Sequence, residues 1–500
     1  MIPIRTLAGL CALSLAPLPA LATGPDRSAE EVHKPAFPVR IAKLDADVTL
    51  DPEKGSLAET VSLSVEGQDL GRLDFAIDEG LVVTSCRASG GYAEYHQAGS
   101  ELGVDLIPPV TGATTLTFSL KGVPHLPSEI GPARAVLSPA AAWYPVHPGM
   151  WGAATVIVRV PEGWGAIAPG TPDARMSPGV FRYATEKPVR SVAVAAGPGL
   201  KIASSTLVQV PFRLASVGAK VEMKDVAARL TPPMSWLAGA LVPYPFDGFE
   251  LVLLPGYARR VQGSGIFIAG QATPLYTDAD GADLLAGQWF GERLAGDAGW
   301  ITGMAAWLAC VFAEDRTLPM PTDVAAQREG YFHIRSGDVA LAHAPATTPD
   351  PVLRGKGSAA PAMVRLVAGN RTTFDAIRSL FAAPIGPPIS IDDVRKALER
   401  LGKRPFDRVF TDWFERSGAP ELEVALRSMP SASGGFRADV TLTQKTAAYE
   451  MPVDIVIYGP GDEHRETVEI DSDSTAVFYI LPFEPKRIEL DPLGRIYRRK

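Results

Sequence analysis

The sequence predicts a multidomain α+β protein with a large N-terminal antiparallel β domain, a middle domain that passes from α/β to helical, and a small C-terminal β-sandwich. Three observations carry this. Residues 38–201 alternate apolar and polar side chains in short runs separated by Gly, Pro and Asp. Residues 206–416 change to apolar positions spaced by three and four. After Gly418-Ala-Pro420 the alternation returns and runs to the end. The predicted boundaries are therefore 36–204, 205–418 and 419–500.

Ahead of the first domain, Arg5 is followed by an apolar run over 7–18 and the small-residue end Ala20-Leu-Ala22. This reads as a signal peptide over 1–22, and predicts a periplasmic or secreted protein. The run is too short, and too interrupted by Pro17 and Pro19, to span a bilayer. No later stretch is long and apolar enough to do so. The formal charge of −8 argues against a nucleic-acid partner. The chain beyond the signal holds Cys86 and Cys310, placed in different predicted domains. Two buried thiols is the simpler reading, and whether they pair stays open.

In the first domain, 41–50, 60–65, 81–84, 104–107, 115–120, 154–160 and 189–196 are predicted strands. Glu94, His96 and Glu101 read as a solvated hairpin end. In the middle domain, 208–215 and 249–254 are strands. Residues 221–241 are helical in spacing, with a break expected at Pro232-Pro233. Asp283-Leu-Leu-Ala-Gly-Gln-Trp-Phe-Gly291 reads as a helix, because Leu285 and Trp289, and Ala286 and Phe290, fall at i,i+4. Asp278-Ala-Asp-Gly281 supplies turn and capping residues before it, and Gly296 stops it. Residues 300–312 form a more apolar, buried helix. Residues 312–355 are rich in Ala, Thr and Pro and predict a long irregular loop. Helices follow at 359–366, 373–381, 391–401 and 408–416, the third opened by the capping pair Ser390 and Asp393. The sandwich strands are 421–426, 436–443, 453–458, 466–470, 475–480 and 486–490. The terminal Tyr497-Arg-Arg-Lys500 reads as a solvated basic end.

Five phrases occur in a telling order. They are His147-Pro-Gly-Met-Trp-Gly152 running into Val156-Ile-Val-Arg-Val-Pro-Glu-Gly-Trp164, then Tyr244-Pro-Phe-Asp-Gly-Phe-Glu-Leu-Val252, Gln288-Trp-Phe-Gly291, Lys356-Gly357, and Phe410-Thr-Asp-Trp-Phe-Glu-Arg-Ser-Gly-Ala-Pro-Glu-Leu422. From about 38 to 495 the chain resembles the M1-family (gluzincin) metallo-aminopeptidases, which implies a thermolysin-like middle domain. Gln288-Trp-Phe-Gly291 resembles the tail of that family's HExxH-x-W-W/F-G helix, and Lys356-Gly357 the end of its Tyr-x-Lys-Gly motif.

The resemblance also locates what is replaced. Such a site needs two His at i,i+4, a Glu beside the first, and a third ligand on the next helix. The first His position is Asp283, the Glu position is Leu284, and the second His position is Gly287. The third ligand falls at Gly303, or at Ala306 if no residue is deleted. The amine-recognising Glu maps near Gln262, in Val261-Gln-Gly-Ser-Gly265. The oxyanion Tyr maps to Arg354. No His-x-x-x-His occurs anywhere in the chain. The implied protein is a catalytically inactive, exported pseudopeptidase with no metal and no cofactor. It would keep a cleft for a peptide or protein ligand at Gln262, Gly263, Gly265, Asp283, Gly287, Gly303 and Arg354. The alternatives are an active peptidase with non-standard site residues, and a scaffold or assembly protein that uses its surface.

Other chemistry is weaker. Gly263-Ser-Gly265 lacks the Gly-x-Ser-x-Gly nucleophile pattern. His333 and His343 read as solvated loop histidines. Asp283 and Glu292 lie on different helix faces, which speaks against paired acids. Arg259-Arg260, with Gln262 and Arg354, would line the cleft positively and suit an acidic peptide or a C-terminal carboxylate. The alternative is surface arginines beside a loop. Gly287 costs a helix about 1 kcal/mol relative to Ala, and is expected to open room in the former metal pocket.

Overall fold

The computed structural model describes residues 39–499 apart from 174–176, 219–220, 271–274, 276 and 384. The predicted signal peptide lies outside the described residues. Residues 38–500 form one compact unit, and no described helix is long and apolar enough to cross a membrane.

The alternation in the first domain buries one face of each strand. In Val39–Asp51 the inward side chains are Val39 and Ile41, then Leu44, Ala46, Val48 and Leu50. The phase slips at Ala42 because a bulge separates Ile41 from Lys43 in both neighbouring ladders. This strand lies inside an eight-stranded sheet between Ser56–Ala76 and Met150–Arg159. The pairing with Met150–Arg159 is parallel, so the sheet is not wholly antiparallel as expected. The segments 104–107 and 115–120 are one long strand, Glu101–Gly122, because it runs beside the equally long Ser56–Ala76. A four-stranded sheet, in which Val194–Pro198 lies between Arg134–Leu137 and Trp164–Ile167, completes this half.

A five-stranded sheet begins the middle region, in the order Lys201–Leu207, Val210–Ser216, Phe249–Leu254, Ile266–Gly270, Arg260–Gly263. Its first strand straddles the boundary expected at 204/205. The three central strands are parallel, and Phe249–Leu254 and Ile266–Gly270 are buried throughout, as strands covered on both faces must be.

Helix α1 (Met223–Ala240) makes the crossover from Val210–Ser216 to Phe249–Leu254. It is not broken at Pro232-Pro233. Its buried face of Leu230, Pro233, Met234 and Leu237 holds it together through the missing amides. Helix α2 runs over Asp278–Ala286, earlier than expected. The true N-cap is Thr277, in a reciprocal box with Asp280, so the residues read as preceding the helix are its first turn. It ends at Gly287, Trp289 follows in turn geometry, and Phe290 bridges to Leu294 with Gly291 at φ +114°. Helix α3 (Ala298–Asp315) is buried on nearly every side, as its composition predicts.

Residues 312–355 are not a long loop. They contain α4 (Thr322–Tyr331), a short turn at Leu341–His343 and a π-helical segment, Pro351–Lys356, that leads into α5 (Gly357–Ala368). Helices α6 (Asn370–Phe381), α7 (Ile391–Gly402) and α8 (Asp407–Phe410) complete the bundle. The Ser390–Asp393 capping box is present as expected. A second π-helical segment, Thr411–Glu415, leads into two three-stranded antiparallel sheets formed by residues 422–490.

Within the terminal phrase read as solvated, Arg499 is exposed but Tyr497 is docked. The Tyr497 hydroxyl donates to the Arg328 carbonyl at 2.9 Å, and its ring packs on Tyr331 and Phe332 at the end of α4.

Candidate functional site

A cleft of about 210 Å³ opens where α2, α3 and the π segment meet the edge strand Arg260–Gly263. Its shape begins with a close contact. A Cβ built at Gly287 would stand 2.6 Å from the Gln262 Cδ and Nε2. The bare backbone at Gly287 therefore leaves room for the Gln262 amide, which donates to the Gly287 carbonyl at 2.7 Å. The space that a side chain at 287 would fill is taken from the strand instead.

The next residue, Gln288, is fully buried and turned the other way. Its amide donates to the Gly263 carbonyl at 3.2 Å, and its oxygen accepts from the Gly265 amide at 2.8 Å and the Tyr244 hydroxyl at 3.4 Å. These bonds lock the Gly263-Ser-Gly265 turn, where Gly265 needs its φ of +81°. Gly263 and Gly265 thus serve the hairpin and do not line the cleft. Ser264 is buried, and donates with Ser191 to the same Glu292 oxygen, each at 2.7 Å. Burial pushes the Glu292 carboxyl up, against the lowering effect of these hydroxyls, Arg190 and Gln262. Glu292 and Asp283 are not paired.

The polar wall is an ion-pair quartet. Arg354 projects from the π segment and donates from one terminal nitrogen to both Asp283 oxygens at 2.6 Å, and from Nε to Asp323 at 2.8 Å. Arg260 stands farther off, 3.6 Å from Asp283 and 3.4 Å from Asp323. Burial opposes the charge of Arg354, but Asp283 and Asp323 more than offset this and hold its pKa above the ordinary arginine value. The two arginines are therefore matched by Asp283 and Asp323, and with Asp280 also in the lining the cleft carries no positive excess. Arg259 is not part of this wall.

Of the expected positions, Gln262, Asp283, Leu284, Gly287 and Arg354 line the cleft, and Gly303 does not. A Cβ at Gly303 would stand 2.6 Å from the Gly357 Cα, so Gly303 is where α3 and α5 touch. Asp323 and Asp280 were missed. Asp323 lies in the first turn of α4, within the stretch read as loop, although Pro321-Thr-Asp323 is an acceptable helix start. Asp280 accepts from the Thr322 amide at 2.8 Å and so pins α4 to α2. His333 and His343 are exposed, as expected.

Zinc needs three or four N, O or S donors converging at about 2.0–2.3 Å. Among Asp283, Leu284, Gly287 and Gly303, only Asp283 carries a donor group, and both its oxygens accept from Arg354. Among the described residues no group of three or more His, Cys, Asp or Glu could hold a metal ion. The residues at these positions do not fit zinc. Cys86 and Cys310 are unpaired thiols, and burial pushes each up to about 11.

No protein family's model matches the sequence, and no curated protein does. Solved structures do. The chain is similar to the M1 zinc metallopeptidase of Deinococcus radiodurans with a TM-score of 0.65 and 19% identity, over 77% of this chain and 95% of that one. A mutant of the Deinococcus radiodurans protein bound to a Tyr-Ser-Ala substrate gives 0.65 and 20%, over 77% and 96%. A two-domain M1 zinc metallopeptidase mutant bound to L-tryptophan gives 0.64 and 19%, over 77% and 96%. The chain resembles the M1 metallopeptidases, and at this identity the likeness is one of fold.

Proposed function

We propose that this chain is an exported, M1-aminopeptidase-like pseudopeptidase that binds the end of a peptide without hydrolysing it. The carrying observation is the Asp283–Arg354 ion pair. The resemblance equates Asp283 with the first metal ligand and Arg354 with the oxyanion tyrosine. Here the two are bonded to each other, so neither is free to act on a metal-bound water or a developing oxyanion. Leu284, in place of the general base, has no proton to move. A concave site with apolar walls and a few convergent polar groups remains, and that is the usual form of a small-ligand site.

The test is made on purified protein. Substoichiometric zinc, no chelator-sensitive aminopeptide cleavage, and saturable binding of a short peptide are expected. Near-stoichiometric zinc together with chelator-sensitive cleavage would sink the reading in favour of an active peptidase. Binding that survives both Arg354→Ala and Gln262→Ala unchanged would move the function away from the cleft, to the surface of a scaffold. Export is checked by fractionation and N-terminal sequencing, with loss of residues 1–22 as the expected result.

A further inference from the structure

We propose that this protein forms a two-fold dimer in which the strand Ser474–Leu481 pairs antiparallel with its own copy. The surface lies in the C-terminal sheets and is independent of the cleft.

Ser474–Leu481 is the outer strand of its sheet, paired on one side with Phe436–Gln444. A strand with a free side is a template for another chain, and proteins guard it with charges, proline or shortness. The other outer strands of these two sheets are guarded in this way. Leu422–Pro430 carries Glu423 and Arg427 and ends on Pro430. Glu463–Ile470 carries Glu463, Arg465, Glu466 and Glu469. Arg487–Leu490 has four residues, and Arg487 and Glu489 are charged. Ser474–Leu481 has eight residues, and none of them is charged. On it Phe478 stands 58% exposed and Ile480 49%.

The ladder shows which backbone groups are free. The Gln444 amide donates to the Asp473 carbonyl at 2.9 Å. Bonded pairs alternate along an antiparallel ladder. Leu442 with Thr475, Val440 with Val477, and Ala438 with Tyr479 are therefore the bonded pairs. The amides and carbonyls of Ala476, Phe478 and Ile480 point off the edge of the sheet. These are the residues whose side chains are exposed.

The occupant must be an uncharged strand with a free edge of its own, and this strand is one. Centred on Phe478, two copies place Phe478 opposite Phe478 and Ala476 opposite Ile480, each in a bonded pair. Val477 falls opposite Tyr479 between them. No charge meets a charge, and aromatic and β-branched side chains pair well across strands. The Arg437 guanidinium lies over the Phe478 ring, 4.5 Å from its centre, and so orders the ring that meets its copy. Two three-stranded sheets become one continuous sheet, and the contact closes on itself.

The experiment is sedimentation equilibrium of the purified protein from about 1 to about 100 µM. The mass should rise from one chain to two. Ala476→Pro removes an outward amide that the single chain does not use, which an edge strand tolerates. Phe478→Lys sets two like charges against each other at the two-fold. Each should weaken association at least tenfold. Amide exchange of the wild type reads the same contact without any variant, and protection over 474–481 should grow with concentration. A mass of one chain throughout overturns the proposal and leaves the edge to a strand of another protein. A dimer that both variants leave intact, with no added protection over 474–481, overturns it in favour of a different interface. A mass that grows past two chains overturns it in favour of open assembly.

Discussion

Gly287 and Gln262 occupy one space between them. The glycine ends α2 with helical φ and ψ of −61° and −20°, a conformation that any residue can adopt, so its backbone does not require glycine. The neighbour does, because the Gln262 amide lies where a Cβ would go.

Gly287→Ala is therefore expected to lose stability. Gly287 caps α2 rather than lying inside it, so alanine recovers little of the helix-interior propensity, and overpacking of about 1–3 kcal/mol decides the sign. We expect a net loss of about 1 kcal/mol in urea denaturation. Adding Gln262→Ala should recover it, because the two substitutions share one space. A single variant as stable as the wild type would show that Gln262 moves aside freely.

Arg354→Ala should cost about 3–5 kcal/mol, because it strands Asp283, whose side chain is 8% exposed. Arg260, at 3.6 Å, is too far off to replace the contact to both Asp283 oxygens. Asp323→Ala should cost less, since its side chain is 26% exposed. Equal losses in guanidinium titrations of the two variants would contradict this ranking.

Glu59, in the strand Ser56–Ala76, is buried with no partner for either carboxyl oxygen. Burial pushes its pKa well above the ordinary glutamate value. A raised folded-state pKa means stability that is complete below the unfolded value and is lost as pH rises toward the folded one. Glu59→Leu should gain about 1–3 kcal/mol at neutral pH. The gain should be larger at pH 7 than at pH 4, and thermal melts at the two pH values would check this.

Lys356 is fully buried, donates to the Arg416 carbonyl, and is held down to about 8 by burial, against the charge of Asp338. Here the sign reverses. Between about pH 8 and 10.5 the unfolded chain holds a proton that the folded one has released, so stability rises with pH. Relative to Lys356→Met, the wild type should gain up to about 3 kcal/mol across that window. Parallel denaturation curves at pH 7.5 and 9.5 would test it.

The strands were legible because alternation is local. The six C-terminal strands and those at 41–50, 60–65, 81–84 and 154–160 fall where period two places them, whereas Tyr92–Ala98, Glu129–Gly131, Arg134–Leu137, Trp164–Ile167 and Val180–Ala184 were not predicted, and 189–196 is strand only from Val194. What went unread depends on partners distant in sequence. Helix α4 buries only Val324 and Tyr331, too few for a periodic signal, and is held instead by Asp280, Arg354 and Tyr497. The prolines of α1 signal a break only if the helix is judged without the core beneath it. At the cleft, the resemblance pointed to Gln262, Asp283, Leu284, Gly287 and Arg354, which line it, but the quartet was not legible. Asp283, Asp323 and Arg354 are brought together by three separate elements. The seven candidate ligand residues divide for the same reason: glycine reads alike whether it borders a cavity, as Gly287 does, or serves a hairpin or a helix crossing, as Gly263 and Gly303 do.

The contact between Gly303 and Gly357 also fixes the spacing of two helices. With the Gly357 Cα 2.6 Å from where a Cβ at 303 would be, any side chain at 303 must push the backbones of α3 and α5 apart. The separation of the two helices is thus set by the absence of side chains at one crossing point, and a substitution there would be felt along both.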